Sequence, residues 1–259
     1  MKKLSPLFLA LFLTSCTNNS ESSHSESSHS ESSHSESPHW SYAGATGPEY
    51  WASLNADYQL CGDGMAQSPI NLSAFTEADL SPLEIAYVDG GSSIVNKGHT
   101  VQVNVDAGSM LSVDNQSFEL LQFHFQSPSE NTIEGESFPM EMHLVHANEE
   151  GKLTVLAVLF ELGAENSALE SIWGRQLDTV EEASAIEPLF NVESLLPADR
   201  QYYRFDGSLT TPPCSEGVTW LVLAEQVSVT QDQVDWFYDL MGESTNRPVQ
   251  MINDRLIYN

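Results

Sequence analysis

Between Gln122 and His146 the chain carries the residue types that could hold a metal ion or move a proton. Gln122-Phe123-His124-Phe125-Gln126 alternates polar with aromatic side chains, and Glu141-Met142-His143-Leu144-Val145-His146 follows an acidic, Pro-containing turn. Successive side chains of a strand face opposite ways, so Gln122, His124 and Gln126 share one face while Phe123 and Phe125 share the other. By the same rule Glu141, His143 and Val145 share a face, and His146 points the other way, into the core. If the two segments are neighbours or near-neighbours in one sheet, His124, Gln126 and His143 form a candidate three-ligand cluster. Gln122 and Glu141 each stand two positions before a histidine on its own face. From there they can hold the far ring nitrogen, which fixes the tautomer and raises ligand basicity. A lone histidine on a strand is ordinarily a satisfied core residue; a supported pair points to metal chemistry.

Strands must position these groups, and the rest of the chain supplies them. Short apolar runs, alternating or rich in β-branched residues and separated by Gly, Asp, Asn, Ser and Pro, predict strands over many segments. These are Leu83 to Tyr87, Ser93 to Asn96, Thr100 to Val105, Met110 to Val113, Phe118 to Gln126, Met140 to Asn148, Leu153 to Leu162, Tyr202 to Asp206 and Val218 to Val229. Two segments read as helices. Ser167 to Glu182 opens with a capping-box pattern, Ser-Ala-Leu-Glu, and Thr230 to Met241 opens with Thr-Gln-Asp-Gln before apolar residues at helical spacing. The expected fold is mainly β (α+β): a single domain on one large, mostly antiparallel twisted sheet with peripheral helices. A chain of 259 residues, 41% hydrophobic, is long enough to bury such a core.

The N-terminus reads differently. Residues 1–15 carry two lysines and an apolar run from Leu7 to Leu13, an export signal too short to span a membrane as a mature helix. The following Leu13-Thr14-Ser15-Cys16 is similar to the lipobox of bacterial lipoproteins, which implies lipidation of Cys16, a membrane anchor, and a periplasmic or cell-surface location. Within residues 16–38 and up to the edge of the domain, the stretch from Ser20 to His39 repeats Glu-Ser-Ser-His-Ser with period five, placing histidines at 24, 29, 34 and 39. With nothing apolar to bury, this stretch is expected to be a disordered spacer, and its histidines could also gather divalent metal. The folded domain is expected over 39–259. With Cys16 lipidated, Cys61 and Cys214 remain. In an exported protein an even pair reads as a disulfide, the alternative being two unrelated buried thiols.

The charge balance is −28, from 37 acidic and 9 basic residues. Phosphate binding needs Lys and Arg clusters that this chain lacks, so no nucleic-acid partner is expected. The excess of carboxylates instead favours solubility, including in salty surroundings that screen self-repulsion.

Taken together, the motifs resemble those of the α-class carbonic anhydrases. The likeness runs from Trp40 to the end through His39-Trp40-Ser41-Tyr42, Gln67-Ser68-Pro69-Ile70-Asn71, Asn96-Lys97-Gly98-His99-Thr100 and Gln122-Phe123-His124-Phe125. It continues through Pro128-Ser129-Glu130, Glu141 to His146, Ser208-Leu209-Thr210-Thr211-Pro212-Pro213-Cys214 and Asn246-Arg247-Pro248, in the family's order. The resemblance implies a zinc cofactor (Zn2+) and the reversible hydration of carbon dioxide to bicarbonate and a proton. Carried over by residue, it implies that His124 and His143 are zinc ligands backed by Gln122 and Glu141. Thr210 would orient the attacking hydroxide and be oriented by Glu130, its backbone amide would receive substrate, and His99 would carry protons to solvent. Val145, Val155, Leu209 and Trp220, with Thr211 beside them, would form the substrate pocket. The family's cysteine pair falls on Cys61 and Cys214, and related bacterial enzymes are often homodimers.

The departure is at position 126, where the family has a third histidine and this chain has Gln126. An amide oxygen is a neutral ligand, as imidazole is, but a harder and weaker donor for zinc. Lower metal affinity or a different metal preference is therefore expected. Asn131 is a smaller departure, since bacterial members often carry histidine there. The alternative reading is a metal-free, catalytically inactive carbonic-anhydrase-like binding protein at the cell surface. A third is metal capture by the histidine repeat.

Overall fold

The computed structural model describes residues 39–175 and 177–259. The expected export signal, the lipidation of Cys16 and the spacer over 16–38 lie outside the described residues. The strands in chain order are β1 (Asn71–Leu72), β2 (Glu84–Ala86), β3 (Asp89–Asn96), β4 (Val101–Val105), β5 (Met110–Val113), β6 (Gln116–Gln126) and β7 (Thr132–Ile133). They continue with β8 (Met140–Ala147), β9 (Leu153–Leu162), β10 (Ala183–Asn191), β11 (Tyr202–Ser208), β12 (Glu216–Leu223) and β13 (Val227–Val229). Eleven of them form one sheet along the path β10-β3-β4-β6-β8-β9-β12-β11, with β5 on β6, β2 on β5 and β13 on β9. Its pairs are antiparallel except β9 with β12 and β9 with β13, which run parallel. The fold expected from the pattern of short apolar runs is the fold observed.

The central strands separate two environments. Phe123 and Phe125 of β6, Met142 and Leu144 of β8, Leu156 and Val158 of β9, and Leu221 and Leu223 of β12 point into the larger apolar core. Burying each such side chain is worth about 2 kcal/mol. Two helices cap that face. Ser167–Trp173 contributes Leu169, Ile172 and Trp173, and Gln231–Met241 contributes Val234 and Phe237. The opposite face carries a smaller cluster with Val155, Ala157, Leu159, Trp220 and Val222, and next to it the polar row of β6 and β8.

A β-bulge sets which residues reach that polar row. Leu120 pairs with His146 and Gln122 pairs with Val145, so one residue of β6 is extra at Leu121. Such an insertion reverses the alternation beyond it. Phe118 and Leu120 therefore share the apolar core with Phe123 and Phe125, and Gln122, His124 and Gln126 all turn to the other face.

Four expectations are corrected. The helix expected over Ser167 to Glu182 ends at Trp173, and its N-cap is Asn166, whose side chain accepts from the Ala168 and Leu169 amides at 3.1 Å, rather than a capping box from Ser167. The chain then enters β10, which was not anticipated because Pro188 interrupts it. Proline is tolerated there because β10 is an edge strand, paired to β3 alone. The single strand expected over Val218 to Val229 is two, with Ala224-Glu225-Gln226 breaking it between β12 and β13. The helix from Thr230 begins as expected: Thr230 and Gln233 form a reciprocal capping box, and Gly242 closes the end with φ 74°.

Candidate metal centre and substrate wall

Register brings the predicted ligands together. His124 on β6 lies directly opposite His143 on β8, and Gln126 lies opposite Glu141. Residues facing each other across an antiparallel pair are within side-chain reach; here the two imidazole centroids are 5.3 Å apart with their planes at 89°.

His124 has one nitrogen tied back by a hydrogen bond, and His143 has a carboxylate close to each of its nitrogens. His124 Nδ1 lies 2.9 Å from Gln122 Oε1, so it carries the proton and leaves Nε2 as a free lone pair. Burial first, and then the neighbouring His143 and His99 charges, hold its pKa well below 6.5; it is a neutral imidazole. His143 differs. Its Nε2 is 3.1 Å from Glu141 Oε1, close but off the line of a hydrogen bond, and its Nδ1 is 3.9 Å from Glu130 Oε2. Burial alone would lower its pKa, yet the Glu141 and Glu130 carboxylates outweigh burial and raise it. This half of the site favours positive charge.

Glu141 is itself fixed. Its Oε2 accepts from the Glu130 and Asn131 amides at 2.8 Å each, and its Oε1 accepts from Asn131 Nδ2 at 2.6 Å. Asn131 is anchored in turn by accepting from the Ile70 amide at 3.1 Å. The residue that stands out in sequence as a departure thus holds the carboxylate behind His143.

Glu130 is fully buried. Burial pushes its carboxyl up to about 7 despite the opposing His143 charge, the Thr210 hydroxyl and the Arg247 amide. Oε1 accepts from that amide at 2.8 Å, while Oε2 has no hydrogen-bond partner. Arg247, 1% exposed, was not singled out by sequence beyond its motif. It donates to Gln67 Oε1, Ser68 O and Cys61 O at 2.9, 2.7 and 2.9 Å and lies over the Trp51 ring at 5.6 Å. Its rarity was the available signal: a chain with 9 basic residues that buries one completely uses it to join segments.

The loop carrying Leu209, Thr210 and Thr211 follows β11. It is pinned to Gln67-Ser68-Pro69 by reciprocal bonds, Ser68 N to Ser208 Oγ at 2.9 Å and Ser208 N to Ser68 Oγ at 3.1 Å. A side chain at Gly207 would collide with Ser68 Oγ, so only glycine permits that approach. Cys61 and Cys214 form a disulfide with Cα atoms 5.1 Å apart across 153 positions. In the chain-entropy model, closing so long a loop contributes about 5 kcal/mol.

The expected substrate wall is contiguous. Val145 faces Val155, which faces Trp220, and Leu209 packs against the same cluster. The Trp220 ring centroid is 4.9 Å from that of His143, and its Nε1 donates to Ser208 O at 3.0 Å. Thr211 sits beside Thr210, its carbonyl accepting from the Cys214 amide at 2.9 Å. His99 lies in the β3–β4 turn, half-buried, its ring 4.5 Å from the Trp40 ring. His146 faces the core, paired with the Tyr87 hydroxyl at 2.7 Å.

Gln126 completes the row. It is 1% exposed, and neither Oε1 nor Nε2 has a hydrogen-bond partner. The Tyr42 hydroxyl lies beside the Gln126 side chain and interacts with it, but short of hydrogen-bond geometry, and has no other partner. An orphaned buried amide costs about 1–3 kcal/mol for each unmet group, and buried polar side chains are seldom left so. Among the described residues no three His, Cys, Asp or Glu side chains gather as a metal group; the set here is two imidazoles and an amide. Two imidazoles and an amide on one face, with carboxylates behind them that favour a cation, fit a divalent metal.

A large mixed sheet with paired histidines beside an apolar wall defines the class, and comparison with known proteins names it. Residues 46–259 match the family model described as eukaryotic-type carbonic anhydrase. A carbonic anhydrase of Pectobacterium atrosepticum is 45% identical over 249 residues, covering 96% of this chain and 97% of that one. A hyperthermostable carbonic anhydrase from an active hydrothermal vent chimney superposes with TM-score 0.83 at 47% identity, over 85% of this chain and 99% of that one. The Thermovibrio ammonificans α-carbonic anhydrase, solved with sulfanilamide, gives 0.84 at 41%, over 86% and 99%. The chain belongs to the α-class carbonic anhydrase family, whose members are zinc enzymes as a class.

Proposed function

We propose that the protein reversibly hydrates carbon dioxide to bicarbonate and a proton, with zinc held by His124, His143 and Gln126 Oε1. The observation that carries this reading is the Gln126 amide, without hydrogen-bond partners, on the same face as the two imidazoles. Zinc, when bound, acts as a Lewis acid that brings the ionisation of water toward neutral pH, a property for which carbonic anhydrase is the standard example. The rest falls to the chain's own residues. Gln122 and Glu141 hold the histidine tautomers. Val145, Val155, Leu209 and Trp220 exclude water and seat an apolar substrate. The Thr210 hydroxyl, directed at Glu130, fixes the direction of the attacking lone pair, while its backbone N–H accommodates the oxygen that becomes negative. His99 carries the released proton outward. On the sequence reading, the protein works as an exported lipoprotein anchored through Cys16.

A second reading, a metal-free binding protein of the same fold, is favoured by the missing third imidazole and by the absence of a His/Cys/Asp/Glu triad among the described residues. Stopped-flow hydration with zinc-loaded protein, combined with metal analysis after dialysis, separates the two. Stoichiometric zinc and a rate above buffer support the enzyme; no retained metal and a buffer rate sink it.

A further inference from the structure

We propose that Tyr42 is the positioning residue for Gln126: its hydroxyl oxygen accepts from the amide nitrogen, so that Oε1 is the end turned toward the two imidazoles. This rests on the metal reading above and deepens it. The two ends of a carboxamide have nearly the same shape and opposite chemistry. Oε1 has lone pairs for a metal ion, while Nε2 carries two protons and can only donate. A neighbour must therefore select the end. Each histidine has such a neighbour: Gln122 Oε1 lies 2.9 Å from His124 Nδ1, and Glu141 Oε1 lies 3.1 Å from His143 Nε2. Gln126 needs one as well.

The groups around Gln126 narrow the choice. Its chain neighbours are committed elsewhere: Phe125 N donates to Thr100 Oγ1 at 3.2 Å and Phe125 O accepts from that hydroxyl at 2.5 Å, while Ser127 N donates to Thr245 Oγ1 at 3.0 Å. Glu141, opposite Gln126 on β8, is taken by Glu130 and Asn131. Among the described residues eight buried side-chain polar atoms lack a hydrogen-bond partner, and five of them belong to Tyr42, Gln126, Glu130 and His143. Unmet polarity is thus concentrated at this site rather than spread through the core. Of those groups, Glu130 Oε2 faces His143 Nδ1 at 3.9 Å and His143 Nε2 faces Glu141. The phenol oxygen is left for the amide.

Packing sets Tyr42 in place. Its ring meets Trp40 edge-on at 5.5 Å and Trp51 at 5.9 Å, and Trp51 lies under Arg247, whose backbone amide holds Glu130. The sign of the coupling supports the direction of the bond. Burial first, and then the Glu130 charge, push the Tyr42 pKa well up, and the Gln126 side chain acts against them. An amide N–H turned to the phenol oxygen has that lowering effect because it stabilises the phenolate, whereas an amide oxygen turned there would stabilise the protonated form.

The test uses the full chain and Tyr42→Phe, which removes the oxygen and keeps the ring. Chelator competition should show zinc held about tenfold more weakly in the variant, the lower end of what losing the group behind a metal ligand costs. In a Gln126→Ala background the same change should cost nothing further, because the amide it acts on is gone. Wild-type affinity in Tyr42→Phe, or an equal loss with and without the amide, overturns the proposal. Side-chain amide NMR of the metal-free full chain reads the contact without zinc: the Gln126 Nε2 protons should exchange with water faster in Tyr42→Phe than in the wild type. Unchanged exchange overturns the proposal too. If the wild-type chain retains no stoichiometric zinc, the metal reading fails separately and the exchange result decides for Tyr42.

Discussion

His143 and His146 stand three positions apart on one strand, both essentially unexposed, and their surroundings drive them in opposite directions. Around His143 the Glu141 and Glu130 carboxylates overcome burial and raise the pKa. Around His146 burial dominates, and the Thr154 and Leu144 carbonyls only partly offset it, so the pKa falls to about 4. One face of β8 is prepared for positive charge and the other for none. The Tyr87 hydroxyl and the Thr154 carbonyl, at 2.7 and 3.3 Å, satisfy a neutral His146. On the site face, by contrast, the Glu141 and Glu130 carboxylates favour positive charge at His143.

The largest expected effect belongs to the core side. His146 binds a proton at 6.5 when unfolded but at about 4 when folded. Between those values the unfolded chain therefore holds more protons, and stability falls as pH is lowered. At one pKa unit per 1.36 kcal/mol the loss is about 3 kcal/mol, complete below the lower value. Denaturant unfolding from pH 7 to 4 should show this slope, and His146→Leu should remove that component of it. An unchanged slope in the variant would place the proton elsewhere. The metal-free site side should act with the opposite sign: a raised folded pKa at His143 gives stability that is present at low pH and lost as pH rises through that pKa.

Next in size is Glu141→Gln. Removing a carboxylate that backs a metal-bound histidine costs about 10–100-fold in affinity, so zinc competition with a chelator should show a fall of that order. A fall no larger than that of a distant surface carboxylate variant would break the contrast between the faces. Gln126→His should move the same measurement the other way, raising zinc affinity, since imidazole is the better zinc donor. The smallest effect is expected from Tyr87→Phe. It removes the His146 partner and should cost about 1 kcal/mol in chemical denaturation, with zinc affinity unchanged.

Much of this contrast was legible in the sequence because period-two alternation is a local property. Gln122, His124 and Gln126 could be assigned to one face since all three lie beyond the bulge at Leu121. Carried back to Phe118 and Leu120, the same alternation would have placed those core residues on the wrong side. The pairing of His124 with His143 was not legible, because register depends on hydrogen bonds between strands. Arg247 and Asn131 were missed as anchors for a related reason: their partners, Cys61, Gln67, Ile70 and Glu141, are scattered along the chain. The overlong helix after Ser167 shows the other limit. Propensity favoured continuation, while pairing with β3 drew the segment after it into a strand.

The central claim is that Gln126 serves as the third metal donor. Zinc titration of the wild-type chain against Gln126→Ala, read by chelator competition, tests it most directly. The account predicts one tightly held zinc per wild-type chain and an affinity loss of at least about tenfold in the variant, on the scale of losing a group that supports metal binding. Equal affinity in the two proteins, or no stoichiometric zinc in the wild type, would contradict it.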